Sequence, residues 1–379
     1  MKSLHPLTRV AIAAFFWQFG FGLYRSVYNN FLAGELGIGA GSLGLIEGIR
    51  EVPGLLTMFL AAATVHIFES RLAALSMAVM ALGLALYTVA GSLWDLVFFT
   101  LIFSTGFHLL YPVQGAIVLG LSREGEKGRG LGRIEGVGAA AMLTAMVLVS
   151  ATSSFITYRS YFLIAGVVTC LGALAMLSLP ASRRASIRRR LVLKAAYAPY
   201  YILTLLAGAR RHMFLTFAVF NLVKVHHVPV GTVALLLAVG TGLSIYGRPL
   251  LGAMVDRFGE RAVLVSCYAA VAAILVGYAT ISYLPVLYVL FCLDNLLRFE
   301  MVTTTYLDKI ASPEDISPTL ATGSTVNHIT GIIVPVAGGV LWEALGPWAT
   351  FGAGALIALA SIAYCLQGLP RPAPRALGA

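Results

Sequence analysis

Twelve times along this chain a run of about twenty apolar residues gives way to a short break that carries most of the charge. That alternation limits the fold more than any other feature. The runs fall near 9–31, 42–64, 72–91, 95–121, 131–152, 158–180, 198–222, 230–254, 261–282, 285–308, 317–340 and 346–368. A helix needs roughly 20 mainly apolar residues to cross a bilayer, and lipid admits only structures that satisfy every backbone polar group internally. The residues are 59% hydrophobic and 11% charged, against about 25% charged in an ordinary soluble domain. The expected fold is therefore an all-α integral membrane protein with twelve transmembrane helices. Pro53, Pro112, Pro249 and Pro335 lie inside runs, where neighbouring helices in a bundle tolerate them.

The formal charge of +10 does not point to nucleic acid, because the basic residues occupy the breaks rather than one patch. They also fall on alternate breaks. Lys2, Arg9, Arg71, Arg123, Lys127, Arg129, Arg133, Arg257, Arg261 and Lys309 share one side with the segment PASRRASIRRRLVLK at 180–194, and the other side has only Arg159 and Lys224. Basic residues in short loops mark the cytoplasmic face, so both termini and the central segment are expected there, with the chain in the inner (plasma) membrane. The basic segment suits contact with membrane lipid headgroups. The N-terminal run lacks a small-residue cleavage site and continues through Tyr24, Arg25 and Tyr28, which reads as a first span rather than a signal peptide. Four cysteines stand singly in apolar runs, without metal or disulfide spacing; no cofactor or metal is expected.

Sliding the sequence by 190 residues brings the six runs of one half onto the six of the other without a gap. Gly41-Ser42-Leu43 meets Gly231-Thr232-Val233, and Phe68-Glu69-Ser70-Arg71 meets Phe258-Gly259-Glu260-Arg261. The expected organisation is an N-terminal six-helix bundle at 1–180, a basic linker at 181–197 and a C-terminal six-helix bundle at 198–379. Two parallel halves of this kind form a transporter architecture in which the substrate site lies between them.

The break between runs eight and nine reads GAMVDRFGERAVL, residues 252–264. Gly252, Asp256, Arg257, Gly259 and Arg261 resemble the loop signature of the major facilitator superfamily, with Glu260 at a position that is basic in the family pattern. The resemblance spans the whole chain and implies twelve spans, solute transport, and a cytoplasmic gate latched by these five residues. Its first-half counterpart, AATVHIFESRLAAL at 62–75, is degraded, with His66 at the Asp position and Glu69 at the Gly position. YPVQGA at 111–116 is similar to an element of drug/proton antiporters but has Tyr111 where that element has Arg.

Charges inside the runs are the functional candidates, since an ionised side chain at the bilayer centre costs at least about 2.5–3.5 kcal/mol and turns inward to a partner. LIEGIREVPGLL at 45–56 holds Glu47, Arg50 and Glu51, with Arg25 at a similar depth in run one. Helical spacing sets both carboxylates on one face with Arg50 beside them, so Arg50 and Arg25 are the expected partners, as a structural cluster or a proton-exchanging one. The second half has Arg210 and Arg211 in run seven, Asp294 and Arg298 four apart in run ten, and Asn327-His328 in run eleven. Asp294 is expected to pair with Arg298 within its helix.

The arginines outnumber the acids in this tally, and guanidinium presents a fixed fork to carboxylate or phosphate. The substrate-facing set is therefore Arg25, Tyr28, Arg50, Arg210, Arg211, Arg298, Asn327 and His328, with Glu47, Glu51 and Asp294 as proton-coupling or ion-pair residues. The expectation is a secondary active transporter, not an enzyme, moving a small anionic solute with proton coupling, as a monomer. Export of an amphipathic or lipid-like compound is the alternative, and a polytopic membrane enzyme or sensor the one outside transport.

Overall fold

The computed structural model describes residues 4–180, 193–297 and 299–369. The basic segment from 181 to 192, Arg298 and the C-terminal residues from 370 onward lie outside the described residues. Regular structure among the described residues is helical: α1 (Pro6–Asn30), α2 (Ala40–Leu55), α3 (Thr57–Ala63), α4 (Glu69–Leu86), α5 (Leu93–Leu121), α6 (Lys127–Thr152), α7 (Tyr158–Leu177), α8 (Ala198–Lys224), α9 (Val230–Thr280), α10 (Leu284–Leu296), α11 (Glu300–Ile310), α12 (Pro313–Leu345) and α13 (Pro347–Gly368).

Eight helical stretches among the described residues are long and apolar enough to span a membrane unaided. The rest of the twelve follow from how the others are interrupted. The α9 stretch has a non-helical residue, Gly259, at φ 81° and ψ 160°, which divides it into two spans. An unbroken 51-residue helix would run to roughly 75 Å, far beyond any bilayer. Span two is α2 followed by α3, interrupted at Leu56 just after Pro53, and span ten is α10 followed by α11, interrupted after Leu296. Span one is α1, extended by one π-helical turn, Phe31–Glu35. The twelve-helix expectation therefore holds, with spans two and ten broken where the apolar pattern gave no warning.

The helices gather into two compact units, one comprising residues 4–180 and 219–238, the other 193–218 and 239–369. A cut at 181–197 alone would assign 219–238 to the second unit. Its place in the first follows from close contacts there: Asn30 Nδ2 donates to the Val228 carbonyl at 2.9 Å, and a Cβ on Gly231 would lie 2.9 Å from Ser153 Oγ. In the first unit α1 packs on α6 and α7, α4 on α5 and α7, and α2 on α5. The α4–α5 crossing is close because Gly83 and Gly106 face it; a Cβ at Gly83 would come within 2.6 Å of Phe103 Cα, and one at Gly106 within 2.9 Å of Met80 Cβ. Small residues let backbones approach where lipid supplies no hydrophobic drive between helices.

Both ends of this unit are fastened by arginine. Arg159 binds Glu35 at 2.5 Å and donates to the carbonyls of Thr88 at 2.7 Å and Ala90 at 2.9 Å. Arg9, at the opposite end, donates to the Ser178 carbonyl at 2.6 Å. Each satisfies carbonyls where a helix ends.

Candidate functional site

The first unit buries the charges of EGIREVPG as one cluster. Arg50 Nε lies 2.9 Å from Glu47 Oε2, and its Nη2 lies 3.1 Å from Glu51 Oε1. One guanidinium fork therefore holds both carboxylates: the i,i+3 spacing accounts for Glu47, while the adjacent Glu51, for which Arg25 is the partner expected from sequence, is reached by the other arm of the fork. Glu47 and Glu51 are both buried, and Arg50 nearly so. Arg25 is half-buried on α1, one residue from Tyr24, whose ring packs 4.9 Å from those of Tyr28 and Phe103. The Tyr28 hydroxyl is buried, within electrostatic reach of Glu47 and Arg50, and has no hydrogen-bond partner among the described residues.

A second layer on α5 supports this cluster. Pro53 lacks an N–H, which loosens the helix ladder at this turn, and the Ser104 hydroxyl donates to the Arg50 carbonyl. Ser104 Oγ has a single proton, so it accepts from His108 Nδ1, which lies 2.9 Å away and also 3.0 Å from the Ser104 carbonyl. Both neighbours of Nδ1 are thus acceptors, an arrangement that favours the Nδ1-protonated form of neutral His108. Gln114 accepts from Trp17 Nε1 at 2.8 Å. Ser104 has no charge and His108 reads as a simple interhelical hydrogen-bonder in sequence, so their place beside the cluster had no sequence signal.

In the second unit Asp294 holds an arginine from another helix, a pairing that local spacing does not point to. Asp294 binds Arg210: Nη1 to Oδ1 is 2.8 Å, and the arginine side chain is only 4% exposed. The Arg210 guanidinium also sits 5.0 Å over the Phe299 ring, and its Nε is buried without a hydrogen-bond partner among the described residues. The expected Asp294–Arg298 pair falls on Arg298, which lies outside the described residues. Arg211 is held differently. Its Nε lies 3.6 Å from Glu300 Oε1, with the two side chains 39% and 44% exposed.

Glu300, which lies inside run ten but not in the sequence tally of intramembrane charge, is the first residue of α11. Including it, the described arginines Arg25, Arg50, Arg210 and Arg211 are matched in number by Glu47, Glu51, Asp294 and Glu300. With Arg298 also counted from the sequence, the basic surplus narrows from two to one. Asn327 and His328 are half-buried on α12. A Cβ on Gly208 would lie 3.1 Å from Asn327 Oδ1, which places that amide two residues from Arg210 along α8.

In the 252–264 segment, Asp256 and Arg257 are exposed, and the Arg257 guanidinium lies 5.0 Å over the Phe258 ring. Gly252 is half-buried, and Gly259 provides the positive φ that ends the first α9 span. Arg261 Nη2 donates to the Leu366 carbonyl at 2.6 Å, capping the end of α13 within its own unit. Glu260, the departure from the family pattern, is buried and pairs with Lys309 at 2.7 Å. Nearby, Lys194 and Tyr197 both donate to Asp315 near the start of α12, and the hydrogen bond to that carboxylate holds the Lys194 ammonium above its usual range. His226, in the loop after α8, is pushed below its usual value by burial and then by His227.

Residues 10–306 and 200–379 match the family model described as Major Facilitator Superfamily. Among solved structures, the nucleoside transporter NupG superposes with a TM-score of 0.81 at 15% identity, over 96% of this chain and 100% of that one. A bacterial homologue of the iron transporter ferroportin, in an inward-facing state, gives 0.74 at 12% identity over 96% and 97%. A bacterial homologue of the human lysosomal transporter Spinster, inward-facing and occupied, gives 0.69 at 13% over 95% and 94%. No curated protein sequence matches significantly. At these identities the likeness is one of fold.

Proposed function

We propose, from the premise that the chain belongs to the major facilitator superfamily of membrane transporters, that it is a secondary active transporter of a small organic anion. It works by alternating access of two six-helix halves, 1–180 and 198–379, as proton-coupled symport or antiport. The chain has no phosphate-binding G-x-x-x-x-G-K-[ST] loop, which favours an ion or solute gradient as the energy source. The similar structures are named for a nucleoside transporter and for homologues of lysosomal and iron transporters. Their names differ in cargo, so the substrate reading rests on the residues.

The observation that carries it is the contrast between two adjacent arginines. Arg210 is buried and committed to Asp294, whereas Arg211 is partly exposed and loosely held. A guanidinium in that state is suited to a carboxylate or phosphate oxygen. Coupling is assigned to the buried carboxylates, Glu47 and Glu51 sharing Arg50 and Asp294 on Arg210, because protonating one would release an arginine. Gly252, Asp256, Arg257, Gly259 and Arg261 serve as the cytoplasmic gate, with both termini on that side of the inner membrane.

Thermal shift of purified protein against a panel of carboxylates, phosphates, nucleosides and hydrophobic cations tests the reading. Stabilisation restricted to anions and lost in Arg211→Ala supports it. Stabilisation by lipids or hydrophobic cations alone sinks it in favour of amphipathic export. The apolar face of Phe21, Phe107 and Tyr111, ring centroids 5.4 and 6.4 Å apart in sequence, is the observation favouring that second reading.

A further inference from the structure

The partner that Arg211 keeps is itself informative. Glu300 opens α11 directly after the chain leaves the helix at Leu297, so it stands on a separate short helix rather than on the one that bears Asp294. Its carboxylate meets the Arg211 guanidinium at Nε across 3.6 Å, with more than a third of each side chain exposed. An exposed pair of that length is weak. The neighbouring pair has the opposite character: 2.8 Å, buried, and braced by the Phe299 ring. Two arginines side by side on α8 are thus held by two acids, one firmly and one loosely.

A carboxylate displaced from Arg211 also has a resting place. Glu300 occupies the first turn of the 11-residue helix α11, where the unpaired backbone N–H groups favour a negative charge. Leaving the guanidinium therefore costs the side chain little.

We propose that Glu300 is the resident ligand of Arg211, which an incoming oxyanion must displace, and that it thereby sets how tightly and how selectively this arginine takes anions. The inference rests on the anion reading above. An oxyanion that grips the guanidinium through two oxygens outcompetes this long, exposed Glu300 contact, whereas a neutral or cationic solute gains nothing by the exchange. Removing the resident charge makes every oxyanion bind more tightly and narrows the advantage of the bidentate ones.

The test is isothermal titration of the full-length protein in lipid nanodiscs with inorganic phosphate, acetate and mannitol, for wild type, Glu300→Gln, Glu300→Asp and Arg211→Ala. Glu300→Gln is expected to bind phosphate and acetate roughly three- to fivefold more tightly, the range an exposed ion pair accounts for. Glu300→Asp, which keeps the charge on a shorter stem, falls between. Arg211→Ala loses both anions, and mannitol binds to none. Equal anion affinity in wild type and Glu300→Gln, with Arg211→Ala inactive, overturns the role of Glu300 while leaving the anion reading intact. Anion binding undiminished in Arg211→Ala, or none in any variant, overturns both. Monodispersity on size exclusion and an unchanged thermal midpoint for Glu300→Asp separate a folding defect from a binding one.

Discussion

Replacing Asp294 with alanine leaves the Arg210 guanidinium buried with no carboxylate, and the structure permits the cost to be worked out. At 2.8 Å, two unit charges attract by about 6 kcal/mol if the effective dielectric constant is about 20. Part of that attraction offsets the desolvation of both ions, which is why a buried pair as a whole contributes little. Removing one partner forfeits the attraction while the remaining charge stays desolvated, at a cost of about 3–5 kcal/mol. Arg210 is only 4% exposed and has few routes to water. The Phe299 ring retains part of the interaction, as a cation–π contact worth about 0.5–2 kcal/mol.

The assay is thermal inactivation in a single mild detergent, read as the rate of loss of monodisperse protein, since large membrane proteins often unfold irreversibly. Asp294→Ala is expected to lower the apparent midpoint by many degrees, and Glu300→Ala, acting on the exposed pair, hardly at all. The double variant Arg210→Met, Asp294→Leu should recover most of the loss, because apolar residues of similar volume replace a buried ion pair at little cost. If Asp294→Ala is as stable as wild type, or if the double variant is worse than Asp294→Ala, the buried pair as described is wrong.

Arg50→Met leaves Glu47 and Glu51 buried together without their shared cation; a loss of about 3–5 kcal/mol is expected in the same assay, largely recovered when both acids become Gln. Gly259→Ala forces a side chain onto φ 81°, ψ 160°, and about 1–3 kcal/mol of strain should appear as a lower midpoint. Arg159→Ala removes the Glu35 pair and two carbonyl contacts, for about 1–3 kcal/mol by the same measurement. Nitrogen NMR of labelled histidine should show neutral His108 protonated at Nδ1, and Ser104→Ala should shift that resonance; an Nε2-protonated neutral form would refute the hydrogen-bond assignment.

Arg50 shows how far charged residues inside the spans could be read in advance. Its partner Glu47 lies three residues away, so the helical repeat alone brings that pair together, whereas its hold on adjacent Glu51 is not set by the repeat. Arg210 shows where that reasoning stops. Its partner lies 84 residues away along the chain, beyond the reach of any local spacing rule. Glu300 has its partner on another helix in the same way, since Arg211 belongs to α8.

The sequence by itself determined the class of fold, the twelve crossings and the place of the turn at Gly259. In lipid each backbone polar group must find its partner locally, so length, apolarity and a glycine in the left-handed region are sufficient signals. Only the tertiary structure decided which acid each arginine holds, that Ser104 and His108 stand behind Arg50, and that one of two adjacent arginines is buried while the other remains accessible. Those outcomes depend on which helices are neighbours and on their rotational phase, and packing between distant segments sets both.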